Sequence, residues 1–342
     1  MDKLITFAIP CYNSEAYMEN CIKSLLDAGD DTEILIINDG SKDGTGAIAD
    51  KYQSEYPDKI RAVHQENGGH GEGVNQGIRL GRGMYYKVVD SDDRLDPTAL
   101  NTLLTRMREN VARGIIADMY VTNYVYDHVE DGTQRSMSYS KIFPHEKLCN
   151  WENIKSFGVS QYLMMHSVIY RMEMLREIGT ELPKHTFYVD NLYMYHPFPH
   201  VKNIYYMDLD LYYYFIGRDD QSVNKANMIK RIDQQILVTQ LMTKCYDLSG
   251  FKKTRPKLHK YMLHELSLMY MISNVFLFAS KDKANYEKSK QLWKFLKENA
   301  DEDTYKSIKW RSLNTFTRLP GPIGRGVTVA GYNISKKIFK YN

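Results

Sequence analysis

The chain has 342 residues, which at roughly 150 residues per domain corresponds to about two domains. Apolar residues make up 43% and charged residues 25%, proportions typical of a soluble globular protein that exclude long disordered, collagen-like and mini-protein classes. The formal net charge of +3 is too small to indicate a nucleic-acid-binding protein, so we expect no nucleic-acid partner.

Strand and helix patterns alternate through the first hundred residues. A short apolar run at Leu4–Ile9 predicts a strand, and Ser14 is placed to cap the helix that follows. Further strands are predicted at Glu33–Ile37, Ile60–His64 and Met84–Val89, with helical patterns between them. This alternation predicts an α/β fold with a mostly parallel sheet flanked by helices.

Polar residues follow each of these predicted strands. The carboxyl ends of parallel strands meet at one edge of a sheet, and α/β proteins bind their ligands there. The residues expected at that edge are Tyr12, Asp39, Asn67 and Asp90–Asp93.

The pattern changes after a predicted helix at Asp96–Asn110. Alternation predicts a strand at Asp118–His128, and a helix is predicted at Phe187–Phe198. Shorter strands are predicted at Ser167–Tyr170, Ile204–Met207 and Leu211–Ile216. From about residue 226 to residue 299 the chain is mostly helical, with no catalytic pattern, and this part is expected to support the first domain or to form a homodimer contact.

Two features bear on membranes and redox chemistry. The stretch Tyr261–Ala279 has the length of a membrane span, but it contains His264, Glu265 and Asn274, which favours a buried helix. The cysteines show neither C-x-x-C pairing nor zinc-site spacing, and we interpret them as reduced thiols of a cytoplasmic protein. They are Cys11, Cys21, Cys149 and Cys245.

The sharpest chemical signal is the acidic run Asp90-Ser91-Asp92-Asp93. Carboxylates two residues apart at the end of a strand can converge on one hard cation, and Mg²⁺-type sites combine one or two carboxylates with substrate phosphates. The motif therefore points to a metal-bound diphosphate. The alternative is a solvated acidic turn or a helix cap.

Two polar loops accompany this motif. In the first, residues 38–45, Asp39 is placed to accept a hydrogen bond from a base or ribose; the alternative is a turn before a helix that Asp43 or Thr45 caps. The second, residues 67–71, is glycine-rich, so its backbone can approach a phosphate closely. Neither a Walker A loop nor a G-x-G-x-x-G fingerprint is present, which argues against P-loop phosphoryl transfer and dinucleotide oxidoreduction.

The order and spacing of these motifs resemble those of glycosyltransferase family 2. The matching segments are Ile9-Pro10-Cys11-Tyr12-Asn13, residues 36–45, Asn67-Gly68-Gly69 and Val89-Asp90-Ser91-Asp92-Asp93. The resemblance is strong over about the first 100 residues and looser to about residue 223. It implies a GT-A fold and inversion of the anomeric centre. We accordingly expect a nucleotide-sugar-binding catalytic domain over residues 1–223, a helical domain over 224–319 and a basic C-terminal tail over 320–342.

The resemblance also assigns roles to individual residues. Asp190 in Tyr188-Val189-Asp190-Asn191 best matches the general base, although Val189 replaces the usual first acid of the pair. Arg218 would neutralise charge on the leaving diphosphate. Asp92 would bind the divalent cation, Mn²⁺ or Mg²⁺. The residues expected to bind the nucleotide are Pro10, Tyr12, Asp39, Asn67, Gly69 and Asp90, and those expected to contact the donor sugar are Asp93 and His166.

The expected activity is inverting transfer of a sugar from a UDP-sugar to a hydroxyl of a glycan or lipid-linked acceptor in cell-surface polysaccharide synthesis. One alternative is a nucleotidyltransferase that makes activated sugars, but residues 1–14 lack the basic glycine-rich signature that it needs. Another is a non-catalytic nucleotide-sugar-binding or membrane scaffold protein, against which the intact Asp90, Asp92 and Asp190 argue.

The end of the sequence is basic. No acidic residue follows Asp303, whereas eight basic residues do, leaving 37 Lys and Arg against 42 acidic residues in the rest of the chain. Apolar residues are interspersed among the basic ones. This composition predicts docking on an anionic membrane surface, with the protein peripheral on the inner face of the membrane. The alternative is a solvated basic helix packed on its own domain.

Overall fold

The structure is a computed structural model that describes residues 3–128, 132–159, 161–217, 225–318 and 321–339, with the side chains of 318 and 335–339 excepted. The chain separates into two compact units. The sheet unit comprises Met1–Lys155 and Leu163–Gly217, and the helical unit comprises Ser156–Tyr162 and Arg218–Asn342.

The sheet unit is built on one mixed sheet, which contains ten strands within the described residues. The strands are β1 Lys3–Cys11, β2 Thr32–Asp39, β3 Ile60–Gln65, β4 Gly83–Val88, β5 Arg94–Leu95, β6 Met119–His128, β7 Thr133–Met137, β8 Leu148–Cys149, β9 Val168–Arg171 and β10 Ile204–Ile216. Their order is β3-β2-β1-β4-β9-β6-β10-β5, with β7 paired to β6 and β8 paired to β10.

The strands β1 to β4 are parallel neighbours, and β6 also runs parallel to β10. The strands β1 and β2 are almost entirely buried, as expected for strands covered on both faces. The expected α/β fold is confirmed, and the carboxyl ends of β1 to β4 lie side by side. The remaining pairings are antiparallel.

Helices connect the strands of this unit. They are α1 Met18–Lys23, α2 Thr45–Glu55, α3 His70–Leu80, α4 Pro97–Ala112, α5 Met172–Glu177 and α6 Asp190–Tyr195. The longest, α4, begins at a proline and is capped by Asp96, whose carboxylate accepts a hydrogen bond from the Ala99 N–H.

Three local predictions were wrong. Ser14 does not cap α1; its N–H donates to Thr45 Oγ1, and its hydroxyl lies 2.8 Å from that of Ser91. The helix predicted from Phe187 begins only at Asp190, because Tyr188 has a φ of +66°, which a right-handed helix cannot contain. The two strands predicted after residue 203 are one strand, β10, whose pairing with β6 shifts register around Asp210.

The helical unit follows. Its helices are α7 Lys225–Lys230, α8 Ile232–Cys245, α9 Phe251–Thr254, α10 Pro256–Ala279, α11 Lys283–Asn299, α12 Glu302–Lys309 and α13 Gly321–Phe339. Among the described residues, α10 alone is long and apolar enough to cross a membrane, but 83% of its most apolar window is buried inside the protein. Its polar residue Asn274 is buried and bonded to Ser289 and to the Tyr270 carbonyl. These contacts are those of a core helix, as expected from the sequence.

All four cysteines lie in described residues, and each is a free thiol.

Candidate active site

Four polar segments meet where β1 to β4 end. The register pairs Cys11 with Asn38 and Asp39 with Gln65, so the residues after these strands form one edge of the sheet. Pro10 is buried within β1, whereas the Tyr12 side chain is 52% exposed, as a ring needs to be to stack on a nucleobase.

Asp39 organises the glycine-rich loop. Its Oδ1 accepts hydrogen bonds from the Gly68 N–H and from Gln65 Nε2, both at 2.7 Å, and its Oδ2 accepts one from the Gly69 N–H at 2.8 Å. Asn67 adds a hydrogen bond from its amide to the Asp39 carbonyl at 2.9 Å. The carboxylate is buried. Asp39 therefore has a structural function that the sequence did not reveal, beside the predicted contact with the nucleotide.

The glycine-rich loop also packs against the segment that leads to Asp190. Gly69 has a φ of +82°, and a Cβ there would lie 3.0 Å from the His185 N. The His185 N–H donates to the Gly68 carbonyl at 2.7 Å. A glycine is required at residue 69 both for its backbone conformation and for this close approach.

Asp190 is the first residue of α6 and is half-buried. Val189, which replaces the usual acid before it, is buried beside Gly71. Burial raises the pKa of Asp190, although the charges of His70 and His166 oppose this shift. A carboxylate with a raised pKa is a stronger base than an ordinary aspartate.

His70 is paired with Asp90 and also lies within the electrostatic influence of Asp190 and Asp92. The His70 Nε2 lies 2.8 Å from Asp90 Oδ1. Burial disfavours the charged imidazole, yet the three carboxylates raise the pKa of His70. The sequence did not predict this pairing, although the position of His70 directly after the glycine loop was a signal for it.

His166 approaches the same carboxylate from the other side. It precedes β9, and because β9 runs antiparallel to β4, residues before β9 lie near the end of β4. The His166 Nε2 lies 3.6 Å from Asp90 Oδ2. Burial pushes the pKa of Asp90 upward, but the two histidines outweigh burial and lower it below its usual range.

Asp93 is held inside the protein by β10. The short strand β5 follows Asp93 directly and pairs with Tyr212, which brings the two side chains together. The Tyr212 hydroxyl donates to Asp93 Oδ2 at 2.5 Å and accepts from the Asp90 N–H at 3.1 Å, while the Phe215 N–H donates to Asp93 Oδ1 at 2.8 Å. Burial, together with the charges of Asp92 and Asp90, raises the pKa of Asp93.

This arrangement bears on the predicted donor-sugar contacts. The Asp93 side chain is fully buried, and both its oxygens accept hydrogen bonds within the protein, so the structure gives it a supporting function and no open contact with a sugar. The His166 ring is buried and stacks on Tyr214 with ring centroids 4.3 Å apart. Contact of either residue with the donor stays a prediction.

A fully buried lysine, Lys87, lies in β4 just before the acidic run. The Lys87 Nζ donates hydrogen bonds to the carbonyls of His166 and Val168, at 2.8 and 3.3 Å. Burial lowers the pKa of Lys87 to about 7, against the opposing effect of Asp90 and Asp93. No sequence motif indicated this residue.

The residues present fit a divalent cation. Asp90, Asp93 and His166 each offer one ligand atom, and these atoms lie within 4.8 Å of one another. Among the described residues Asp92 does not belong to this group, so its role as a metal ligand stays a prediction. The Nδ1 atom of His166 is buried without a hydrogen-bond partner. Carboxylates together with one imidazole suit a cation such as Mn²⁺.

Arg218, expected at the diphosphate, lies outside the described residues.

Comparisons with known proteins agree with these features. Residues 6–179 match the model of the family described as glycosyl transferase family 2. Glycosyltransferase GlyG of Streptococcus pneumoniae is 27% identical over 220 residues, which cover 57% of this chain and 71% of GlyG. Chondroitin synthase of Escherichia coli is 35% identical over 147 residues, which cover 42% of this chain and only 21% of the synthase.

Solved structures share the fold. Staphylococcus aureus TarS in complex with UDP-GlcNAc superposes with a TM-score of 0.66 at 16% identity, covering 98% of this chain and 91% of that one. Mannosyltransferase PcManGT from Pyrobaculum calidifontis, in complex with GDP-Man and Mn²⁺, has a TM-score of 0.50 at 12% identity, covering 100% and 89%. The family match over half of the sequence and the shared fold together show that the chain belongs to glycosyltransferase family 2 and is a glycosyltransferase with the GT-A fold.

Proposed function

We propose that this glycosyltransferase moves a sugar from a UDP-sugar to a hydroxyl of a glycan or lipid-linked acceptor, with inversion, in cell-surface polysaccharide synthesis. Two relatives support the proposal: TarS was solved with UDP-GlcNAc, and chondroitin synthase is named for making a polysaccharide. Family membership favours glycosyl transfer over the nucleotidyltransferase and scaffold alternatives.

The observation that carries the proposal is the pairing of His70 with Asp90, to which the charges of Asp190 and Asp92 add. These carboxylates come from segments 100 residues apart in sequence, and a purely structural ion pair would need only one of them. Half-buried carboxylates that repel one another cost stability, and titratable groups perturbed in this way concentrate at functional sites.

The donor is expected to lie along the ends of β1 to β4. The exposed ring of Tyr12 would stack on the base, and Asp39 fixes the loop whose Asn67 and Gly69 would face the nucleotide. When bound, Mn²⁺ or Mg²⁺ supplies positive charge that stabilises the departing diphosphate. Asp92 would hold the cation together with Asp90 and His166, and Arg218 would add a second positive charge.

Asp190 completes the reaction as general base. The acceptor oxygen attacks the anomeric carbon while the bond from that carbon to the diphosphate oxygen breaks, so the diphosphate leaves with the bonding electron pair. The acceptor proton passes to the Asp190 carboxylate. A single displacement from the face opposite the leaving group inverts the configuration.

The test measures UDP release by the full chain with a panel of UDP-sugars, candidate acceptors and Mn²⁺ or Mg²⁺, and uses GDP-sugars as the comparison. We expect Asp190→Asn to lose about 10²–10⁴-fold in transfer rate while UDP binding, measured by calorimetry, is retained. Asp58→Asn, a change at an exposed aspartate after α2, should match the wild type.

Two results would contradict the proposal. Full transfer by Asp190→Asn removes that residue from the role of base. If the enzyme releases nucleotide from GDP-sugars and not from UDP-sugars, the donor is a GDP-sugar and the proposed UDP-sugar donor is wrong.

A further inference from the structure

The outward face of α13 is apolar. Ile323, Val327 and Ile334 are 75%, 40% and 58% exposed, and their spacing places them on one side of the helix. Gly326 and Ala330 are exposed between them. We call these five residues the apolar face of α13. Within the part of α13 whose side chains are described, residues 321–334, the charged residue is Arg325, which is only partly exposed.

The opposite side of α13 fixes this orientation. Tyr332 packs edge-on against Phe276, with ring centroids 5.8 Å apart, and Val329 contacts the same cluster of α8 and α10 residues. Thr328 is buried, and the Arg325 guanidinium lies 4.1 Å from the centroid of the Tyr286 ring. Tyr332, Thr328 and Arg325 thus pack inside the helical unit, whereas the apolar face has no partner within the described residues.

Charge identifies the kind of partner. The eight basic residues after Asp303 have no acidic residue among them. They are Lys306, Lys309, Arg311, Arg318, Arg325, Lys336, Lys337 and Lys340. A partner for this segment must therefore be negatively charged and must also accept aliphatic side chains.

Two further exposed apolar residues lie in the same part of the chain, Trp310 and Phe316. Aromatic side chains of this kind are favoured where water meets lipid headgroups.

We propose that the apolar face of α13 inserts into the interfacial region of an anionic lipid bilayer, with lysines of the segment after Asp303 contacting the lipid headgroups. A nucleic acid offers negative charge but no apolar phase for Ile323 and Ile334. A second copy of this chain offers the apolar face, but it brings the same positive charge, which repels. Only the bilayer surface supplies both components.

The experiment uses the full chain and does not depend on the sugar donor or acceptor. Sedimentation is measured with vesicles of phosphatidylcholine alone and with vesicles of phosphatidylcholine mixed with phosphatidylglycerol, at low and at high salt. We expect binding to the anionic vesicles that is about tenfold or more stronger than to the neutral ones and that weakens as salt rises.

The matched variants separate insertion from simple charge attraction. The double substitution Ile323→Ser with Ile334→Ser removes apolar contact without changing charge, and we expect it to weaken vesicle binding about tenfold. Leu237→Ser, at a residue of α8 that is 40% exposed, is the control and should bind as the wild type does. Calorimetry and circular dichroism report whether the helical unit of each variant is folded.

Three outcomes would overturn the proposal. The first is equal vesicle binding by the double variant and the wild type. The second is absence of binding to either vesicle. The third is a wild-type dimer in light scattering that the double variant dissociates, because the face would then be an interface between copies.

Discussion

Three acidic side chains of the site, Asp90, Asp93 and Asp190, differ in the charge that their surroundings favour. Asp90 lies between His70 and His166, which lower its pKa and keep it ionised. Burial shifts the pKa of Asp93 and of Asp190 in the opposite direction. The site thus keeps one carboxylate ionised and makes another more basic. Acid–base catalysis uses carboxylates whose pKa values are separated in this way. Asp90 therefore suits a cation or ribose, and Asp190 suits a proton.

Lys87 leads to a prediction about pH and stability. Its folded-state pKa of about 7 lies below the ordinary value of 10.5, so between these pH values the unfolded chain binds a proton that the folded chain does not. The contribution of Lys87 to stability is fully present above pH 10.5 and is lost as the pH falls through 7. Relative to Lys87→Met, the wild-type free energy of unfolding should rise by about 1.4 kcal/mol per pH unit within this window.

Urea denaturation followed at several pH values between these limits measures that slope. Lys297→Met, a change at an exposed lysine of α11, is the control and should give a difference from wild type that does not vary with pH. A flat difference for Lys87→Met as well would show that the buried amine keeps its ordinary proton affinity.

At the scale of elements, the sequence predicted what depends on local pattern. The strands β1 to β4 were located to within two residues, because each is an apolar run bounded by turn residues. The antiparallel strands β5, β7 and β8 were missed. The two-residue strand β5 has too little sequence to show a period, and its existence depends on pairing with a distant partner, β10.

The strand β10 carries the support of the site, and two adjacent tyrosines in it make a matched pair. Tyr212 is buried and bonds to Asp93 and to the Asp90 N–H, whereas Tyr213 lies on the other face beneath the Arg94 guanidinium. Tyr212→Phe leaves a buried acceptor and a buried donor unpaired. We expect it to lower the free energy of unfolding by about 1–3 kcal/mol and to reduce transfer.

Urea denaturation and the UDP-release assay test this pair of substitutions. Tyr213→Phe removes a hydroxyl from the same strand without touching the carboxylates and should leave both measurements near wild type. If Tyr212→Phe behaves like Tyr213→Phe, the hydrogen bonds of Tyr212 do not hold the acidic cluster in place.

At the scale of the whole molecule, sequence motifs predicted the residues of the site better than they predicted what supports them. Asp39, Asp90 and Asp190 could be located because each stands in a motif at the end of a strand or the start of a helix. The supporting residues Lys87 and Tyr212 could not, since neither stands in a motif and each acquires its function only when β4, β9 and β10 come together. Supporting residues such as these can be identified only from the three-dimensional structure.

The division into two compact units predicts how the chain melts. Each unit has its own core, that of the helical unit being built on Ile232, Phe276, Leu277 and Phe278. On the proposed function, UDP with Mn²⁺ should bind the sheet unit, raise the melting temperature of that unit's transition in calorimetry and leave the melting temperature of the other transition unchanged. Leu277→Ala opens a cavity in the buried face of α10. It should lower the free energy of unfolding of the helical unit by about 2–5 kcal/mol.

Ile36→Ala in β2 is the reciprocal change, because Ile36 is as deeply buried in the sheet unit as Leu277 is in the helical unit. Ile36→Ala should lower the melting temperature of the sheet unit only, which is the transition that UDP is expected to raise. A single transition that both substitutions lower and UDP raises would mean that the two units unfold together, and the helical unit would then share in the stabilisation that the donor provides.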